Sequence, residues 1–130
     1  MNEQKKNTIL IVEDETPLRH ALSTKLIHEG FSVLQAIDGE SGLAIALEKH
    51  PDLILLDIIM PNLNGITVLE RLQADAWGKT VPIILLTNLS DELKVTENFP
   101  KNVVGYLVKS DWKLEDIVNR IKEQLSRTGV

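Results

Sequence analysis

Apolar residues along the chain gather into five short runs: TILIV (8–12), FSVLQA (31–36), LILL (53–56), PIILL (82–86) and VGYLV (104–108). Most are continuous rather than alternating, which suits strands covered on both faces of a parallel sheet; the pattern is clearest in the first, third and fourth. Between the runs the period changes to that of a helix. Leu18, Ala21, Leu22 and Leu26 share one helical face after Pro17, a residue suited to a first turn. Leu43, Ala46 and Leu47 form the next stripe, ending before Pro51, and Ile66, Leu69 and Leu72 a third. The last is the most regular, with Leu114, Ile117, Val118, Ile121 and Leu125 at i, i+3, i+4, i+7 and i+11. The fourth connection, SDELKVTENFPKN, predicts a short helix around 90–97 that stops before Pro100. This alternation predicts right-handed βαβ units in an open, doubly wound α/β fold with a five-stranded parallel sheet and helices on both faces.

Composition narrows the class. With 130 residues, 43% apolar and 25% charged, the chain reads as one domain across 1–130, its ordered core about 7–127. No apolar run approaches the roughly 18 residues needed to span a membrane, and MNEQKKN lacks the apolar segment of a signal peptide. The chain has no cysteine, which excludes disulfides and thiolate metal sites and, with the rest, predicts a cytoplasmic protein without membrane insertion. A net charge of −5, with no basic run beyond Lys5-Lys6, argues against direct contact with nucleic acid.

The polar residues carry the chemistry. Glu13, Asp14 and Glu15 follow the first run, Asp57 ends the most apolar stretch in LILLDIIMPNLNG, Thr87 closes the fourth run and Lys109 the fifth. In an open parallel sheet the C-terminal ends of the strands share one edge, and ligands bind in the crevice there. Residues nearly a hundred positions apart thereby become candidates for one site. Clustered carboxylates raise one another's pKa unless something positive intervenes. Mg2+, which prefers oxygen ligands and takes one or two carboxylates plus a phosphate oxygen, is the natural counter-ion. A nucleophilic Asp57, a metal, the Lys109 ammonium and the Thr87 hydroxyl together form a receptor for a phosphoryl group.

DIIMPNLNG, set among these residues, resembles the phospho-acceptor signature of receiver domains from two-component response regulators, and the likeness covers essentially the whole chain. The resemblance implies a flavodoxin-like strand order 2-1-3-4-5. It implies Asp57 as phosphoryl acceptor, Asp14 as the main acidic Mg2+ ligand, Glu13 acting through water or supporting the metal shell, and the Ile59 backbone carbonyl completing the protein ligands. Thr87 would be the switch hydroxyl, Lys109 the lysine that pairs with phosphoryl oxygens, and Tyr106 the rotating switch aromatic. The implied donor is a phosphohistidine on a sensor histidine kinase or histidine phosphotransfer protein, and the implied output surface is the fourth helix, fifth strand and last helix, facing a downstream protein. Two positions depart from the pattern. Ser110 follows Lys109 where the family usually carries proline in a cis peptide; a non-proline cis bond costs roughly 3–4 kcal/mol, which favours a trans loop and puts the reach of Lys109 in question. Asn88 stands where the family favours a smaller residue. Ile59 and Leu89 offer no group to position an attacking water, which predicts a long-lived phosphorylated state.

Other residues read more plainly. Glu15 fits a helix start favoured by the macrodipole. His20, His28 and His50 lack ligand-spaced partners and read as structural or solvated, and Trp77 and Trp112 as anchors at element boundaries. Among competing functions, a Mg2+-dependent aspartyl-phosphate phosphatase would need a second acid two residues after its nucleophile, where this chain has Ile59, so an enzyme acting on external substrates is not expected. A flavin or nucleotide binder would need a phosphate-cradling first loop, and EDET repels phosphate. The alternative left standing is a receiver-like interaction domain that works without phosphorylation.

Overall fold

The computed structural model describes residues 6–58, 63–87, 99–109 and 113–128. Five strands form one parallel sheet: β1 (Thr8–Val12), β2 (Ser32–Ala36), β3 (Leu53–Asp57), β4 (Ile83–Thr87) and β5 (Val103–Val108). Their order is β2-β1-β3-β4-β5, the doubly wound arrangement expected from the pattern. Helices α1 (Thr16–His28), α2 (Gly39–Lys49), α3 (Gly65–Gln73) and α4 (Leu114–Thr128) supply the covers. The helix expected around 90–97 and the anchor expected at Trp112 lie outside the described residues.

The continuous apolar runs are explained by two-sided burial. Successive side chains of a strand point to opposite faces. Ile9, Ile11, Leu53, Leu55, Ile84 and Leu86 pack with Leu22 and Leu26 of α1 and Ile117, Val118, Ile121 and Leu125 of α4. Leu10, Val12, Ile54, Leu56, Ile83 and Leu85 pack on the other face with Ala46 of α2 and Val68, Leu69 and Leu72 of α3. Burying one such side chain contributes roughly 1.5–3 kcal/mol, so β1, β3 and β4, sealed on both faces, form the rigid centre of the molecule.

Helix ends follow local chemistry. The Asp38 side chain accepts from the Ser41 amide at the start of α2, and Asn64 does the same for Thr67 at α3. α2 ends at His50, whose left-handed conformation (φ 49°) turns the chain toward Pro51, and the His50 ring stacks on Trp77 with centroids 4.2 Å apart. Trp77 therefore is an anchor, as the sequence suggested.

Three helical faces differ from expectation. α1 buries Arg19, Leu22, Ser23 and Leu26, while Leu18 and Ala21 are only half-buried. The helix is rotated because Arg19 and Ser23 find polar partners beneath it. In α3, Val68 joins Leu69 and Leu72 inside and Ile66 is exposed; in α2, Ala46 is buried and Leu47 exposed.

Candidate functional site

The C-terminal ends of β1, β3, β4 and β5 bring Glu13, Asp14, Asp57, Thr87 and Lys109 to one edge of the sheet. Asp57 is the last residue of β3, and its backbone is registered against Leu86. The following amide, Ile58 N–H, donates to the Leu86 carbonyl at 3.1 Å, so the strand pairing continues just past the carboxylate. The return loop is pinned from the other side, where Gly65 N–H donates to the Ile58 carbonyl at 2.8 Å. A Cβ at Gly65 would stand 2.6 Å from the Asp57 carbonyl oxygen and 2.7 Å from the Ile58 Cα, so the glycine permits this close approach.

Asp57 and Glu13 are both buried, at 3% and 0% exposure, whereas Asp14 is exposed. Carboxylate oxygens of Glu13, Asp14 and Asp57 all lie within 4.8 Å of one another. Such a set is strongly repulsive when ionised. The Lys109 ammonium compensates: it lies 2.9 Å from Asp57 Oδ2, 2.8 Å from Glu13 Oε1 and 3.5 Å from Glu15 Oε2. Its backbone N–H donates to the Thr87 carbonyl, which ties the base of the lysine to β4. The reach of Lys109, in question because of Ser110, is sufficient to span Asp57 and Glu13 together.

Charge balance at the site is incomplete. Burial pushes the Glu13 carboxyl up to about 7, with the Asp57 charge adding to the rise, against the lowering contacts of Lys109 and the Glu15 amide. Lys109 responds in the opposite sense: burial disfavours its charge, but hydrogen bonds and charges from Glu13 and Asp57 outweigh this and hold its pKa above the usual lysine value. Glu13 Oε2 accepts from the Glu15 amide at 3.0 Å. Its Oε1 lies 2.8 Å from the Lys109 ammonium.

This arrangement fits a hard divalent cation. The donors are all carboxylate oxygen, two of the three groups are buried, and the Lys109 ammonium is shared among Glu13, Glu15 and Asp57. The Ile59 carbonyl, the remaining expected ligand, lies outside the described residues, as do Ser110, Asn88 and Leu89. Thr87 ends β4 at 2% exposure, and Tyr106, registered against Leu85 on β5, is 43% exposed with its ring on the outside of the fold.

Two participants were not singled out from sequence. Glu15 stands at the N-cap of α1, the helix start expected of it, without a side-chain cap, and its carboxylate also reaches Lys109 at 3.5 Å. Arg19, buried in the first turns of α1, donates from Nη1 to the Glu13 carbonyl at 3.0 Å and from Nε to Gln35 Oε1 at 3.1 Å. Arg19, Leu22, Ser23 and Leu26 hold i, i+3, i+4, i+7 spacing, but with two polar members the stripe does not stand out by hydrophobicity.

The fold and this site together define a class. The chain belongs to the response regulator receiver domain family, whose model matches residues 9–122. It is 34% identical over 120 residues to the DNA-binding dual master transcriptional regulator RpaA of Synechocystis, covering 92% of this chain and 49% of that protein. The chain spans about half the length of the curated relatives it matches. Among solved structures, the chemotaxis response regulator CheY4 of Vibrio cholerae superposes with a TM-score of 0.82 at 27% identity, covering 92% of this chain and 98% of that one. The response regulator TrrA of Thermotoga maritima, in complex with Mg2+ and BeF, gives 0.76 at 29% identity, with 90% and 97% covered. No helix among the described residues is long and apolar enough to cross a membrane.

Proposed function

We propose that this domain accepts a phosphoryl group on Asp57 from a phosphohistidine of a sensor histidine kinase or histidine phosphotransfer protein, and passes the change to a downstream protein by surface contact in the cytoplasm. The observation that carries this reading is the placement of Asp57: a nearly buried carboxylate on a rigid strand end, paired to Lys109 and within 4.8 Å of two further acids.

Family membership supports it. An Asp57 carboxylate oxygen attacks phosphorus, the P–N bond breaks, and the histidine imidazole departs while an acyl phosphate remains on Asp57. When bound, Mg2+ supplies positive charge to the phosphoryl oxygens; Glu13, Asp14 and Asp57 would hold it, with the Ile59 carbonyl assigned by resemblance. Lys109 is released from the resting carboxylates to pair with a phosphoryl oxygen, and the Thr87 hydroxyl donates to another. The phosphoryl group adds charge and strong acceptor oxygens at the sheet edge.

The magnitude decides how the switch must work. Moving an equilibrium from 1:99 to 99:1 needs roughly 5.5 kcal/mol, and one hydrogen bond to a charged group supplies roughly 1.5–3. Thr87 alone is insufficient, so Lys109 and repacking of Tyr106 contribute. The exposed ring of Tyr106 is the resting position in this reading, and inward rotation accompanies phosphorylation. The domain turns over no external substrate; its chemistry is confined to its own aspartate.

The test is intact-protein mass spectrometry after incubation with acetyl phosphate, with and without Mg2+. One Mg2+-dependent phosphoryl adduct, absent from Asp57→Asn, is expected. Labelling of that variant to the same extent would overturn the assignment.

A further inference from the structure

Arg19 is buried at 8% exposure, and among the described residues no carboxylate pairs with it. Its acceptors are neutral: the main-chain carbonyl of Glu13 at 3.0 Å and the side-chain oxygen of Gln35 at 3.1 Å. Gln35 in turn donates to Ser23 Oγ at 3.2 Å, which closes a polar network across α1 and the edge strand β2. Burying a guanidinium without a counter-ion is unfavourable. A methionine or leucine at this point of a helix face shared with Leu22 and Leu26 would pack at no such cost. The arginine therefore needs a reason, and its contacts supply one.

The carbonyl it grips belongs to the residue that turns the chain out of β1 and into Asp14. Glu13 N–H donates to the Ala36 carbonyl of β2 at 3.1 Å, and its side chain accepts the Glu15 amide at 3.0 Å. With Arg19 on the carbonyl, the backbone of Glu13 is held on both sides of its Cα, through the N–H and through the carbonyl, which fixes the direction in which Glu13 and Asp14 leave the strand. A rigid fork with several donors suits this better than a single ammonium, because it grips the carbonyl and Gln35 at once.

We infer that Arg19 is a positioning residue for the metal-binding loop: through the Glu13 carbonyl it orients the Glu13 and Asp14 carboxylates and so sets the affinity of the site for Mg2+. The inference rests on the reading of those two acids as metal ligands. It opposes what charge alone would do. A cation near a divalent-ion site weakens binding, so removal of Arg19 acting only through charge would tighten Mg2+ binding. Loss of its grip does the reverse, and groups that orient metal ligands typically change affinity by about 10–100-fold when removed.

The experiment uses Arg19→Met, Arg19→Lys and, as a milder break of the same network, Gln35→Leu. Mg2+ binding is followed by backbone amide chemical shifts, and amide hydrogen exchange is measured on the metal-free proteins. Arg19→Met is expected to weaken Mg2+ binding about tenfold and to speed exchange at the Glu13 and Glu15 amides, while Leu55 and Ile84 in the central strands stay protected. Arg19→Lys, which keeps the charge and loses the fork, should also weaken binding, and Gln35→Leu should do so by about two- to threefold, in proportion to a smaller loss of positioning. Unchanged or tighter Mg2+ binding in Arg19→Met would overturn the inference, as would a loss of protection spread evenly over β1 and β3. Should Arg19→Met not fold, the lysine and Gln35 variants decide by the same criteria. A wild-type chain that took up no Mg2+ would sink the metal reading instead, and the exchange pattern would still decide whether Arg19 fixes the loop.

Discussion

Glu13 is the group on which the site's electrostatics can be tested most directly. It is fully buried, and its carboxyl titrates at about 7 against an ordinary value of 4.5. Because the folded-state value is the higher one, folding takes up a proton between these limits. The stability this group contributes is complete below pH 4.5 and is lost as pH rises to about 7. At one pKa unit per ~1.4 kcal/mol, the ionised carboxylate costs the metal-free protein ~3 kcal/mol at pH 8. Glu13→Gln removes that cost and keeps an oxygen to accept from the Glu15 amide. That cost is already net of the Lys109 contact. The variant should therefore be more stable than wild type by ~3 kcal/mol at pH 8, about 10 °C in Tm for a chain of this size. Near pH 5, where native Glu13 is protonated and only the unfolded chain has begun to ionise, the gap should shrink to under ~1 kcal/mol. The assay is urea and thermal unfolding at pH 5 and pH 8, with and without Mg2+. Groups away from the site titrate alike in both proteins, so the difference reads Glu13 together with its coupling to Asp57 and Lys109. Mg2+ should narrow the gap by stabilising wild type, by ~2.7 kcal/mol at a hundred times its Kd. A glutamine variant no more stable at pH 8, or an advantage that persists unchanged at pH 5, would refute the reasoning.

Four further outcomes follow from the same geometry. Lys109→Met leaves Glu13 and Asp57 without the ammonium 2.8 and 2.9 Å away; unfolding at pH 8 should show a loss of roughly 3 kcal/mol without metal and a larger Mg2+-induced rise in Tm than wild type. In Asp57→Asn, the charge that helps raise the Glu13 pKa is gone, so a carboxyl-detected NMR titration should find Glu13 ionising at lower pH than in wild type. Gly65→Ala forces a Cβ to within 2.6 Å of the Asp57 carbonyl and should destabilise by roughly 1–3 kcal/mol while slowing phosphorylation. Gly105→Ala meets only the movable guanidinium end of Arg120 and should cost under about 1 kcal/mol in the same unfolding assay.

Much of this protein is written in its linear pattern. Each central strand must be apolar at every position because both faces are covered, so LILL and IILL announce strands and two-sided helical packing at once. The strand order was what the receiver resemblance implied, and the edge where the strand ends meet collects Glu13, Asp14, Asp57, Thr87 and Lys109. These residues were nameable because a carboxylate or ammonium at the end of an apolar run has no packing reason to be there. What the pattern could not give is how charge is shared among them. The Lys109 ammonium, from β5, bridges acids from β1 and β3, and the elevated Glu13 pKa depends on its burial beside Asp57. The rotation of α1 was equally hidden. Periodicity ranks positions by hydrophobicity and would expose Arg19 and Ser23, whereas the folded chain buries them because Gln35 on β2 and the Glu13 carbonyl meet them there. Hydrophobic period is a property of neighbours along one element; ion pairing and polar satisfaction are properties of groups brought together from different elements, and only the tertiary structure decides those.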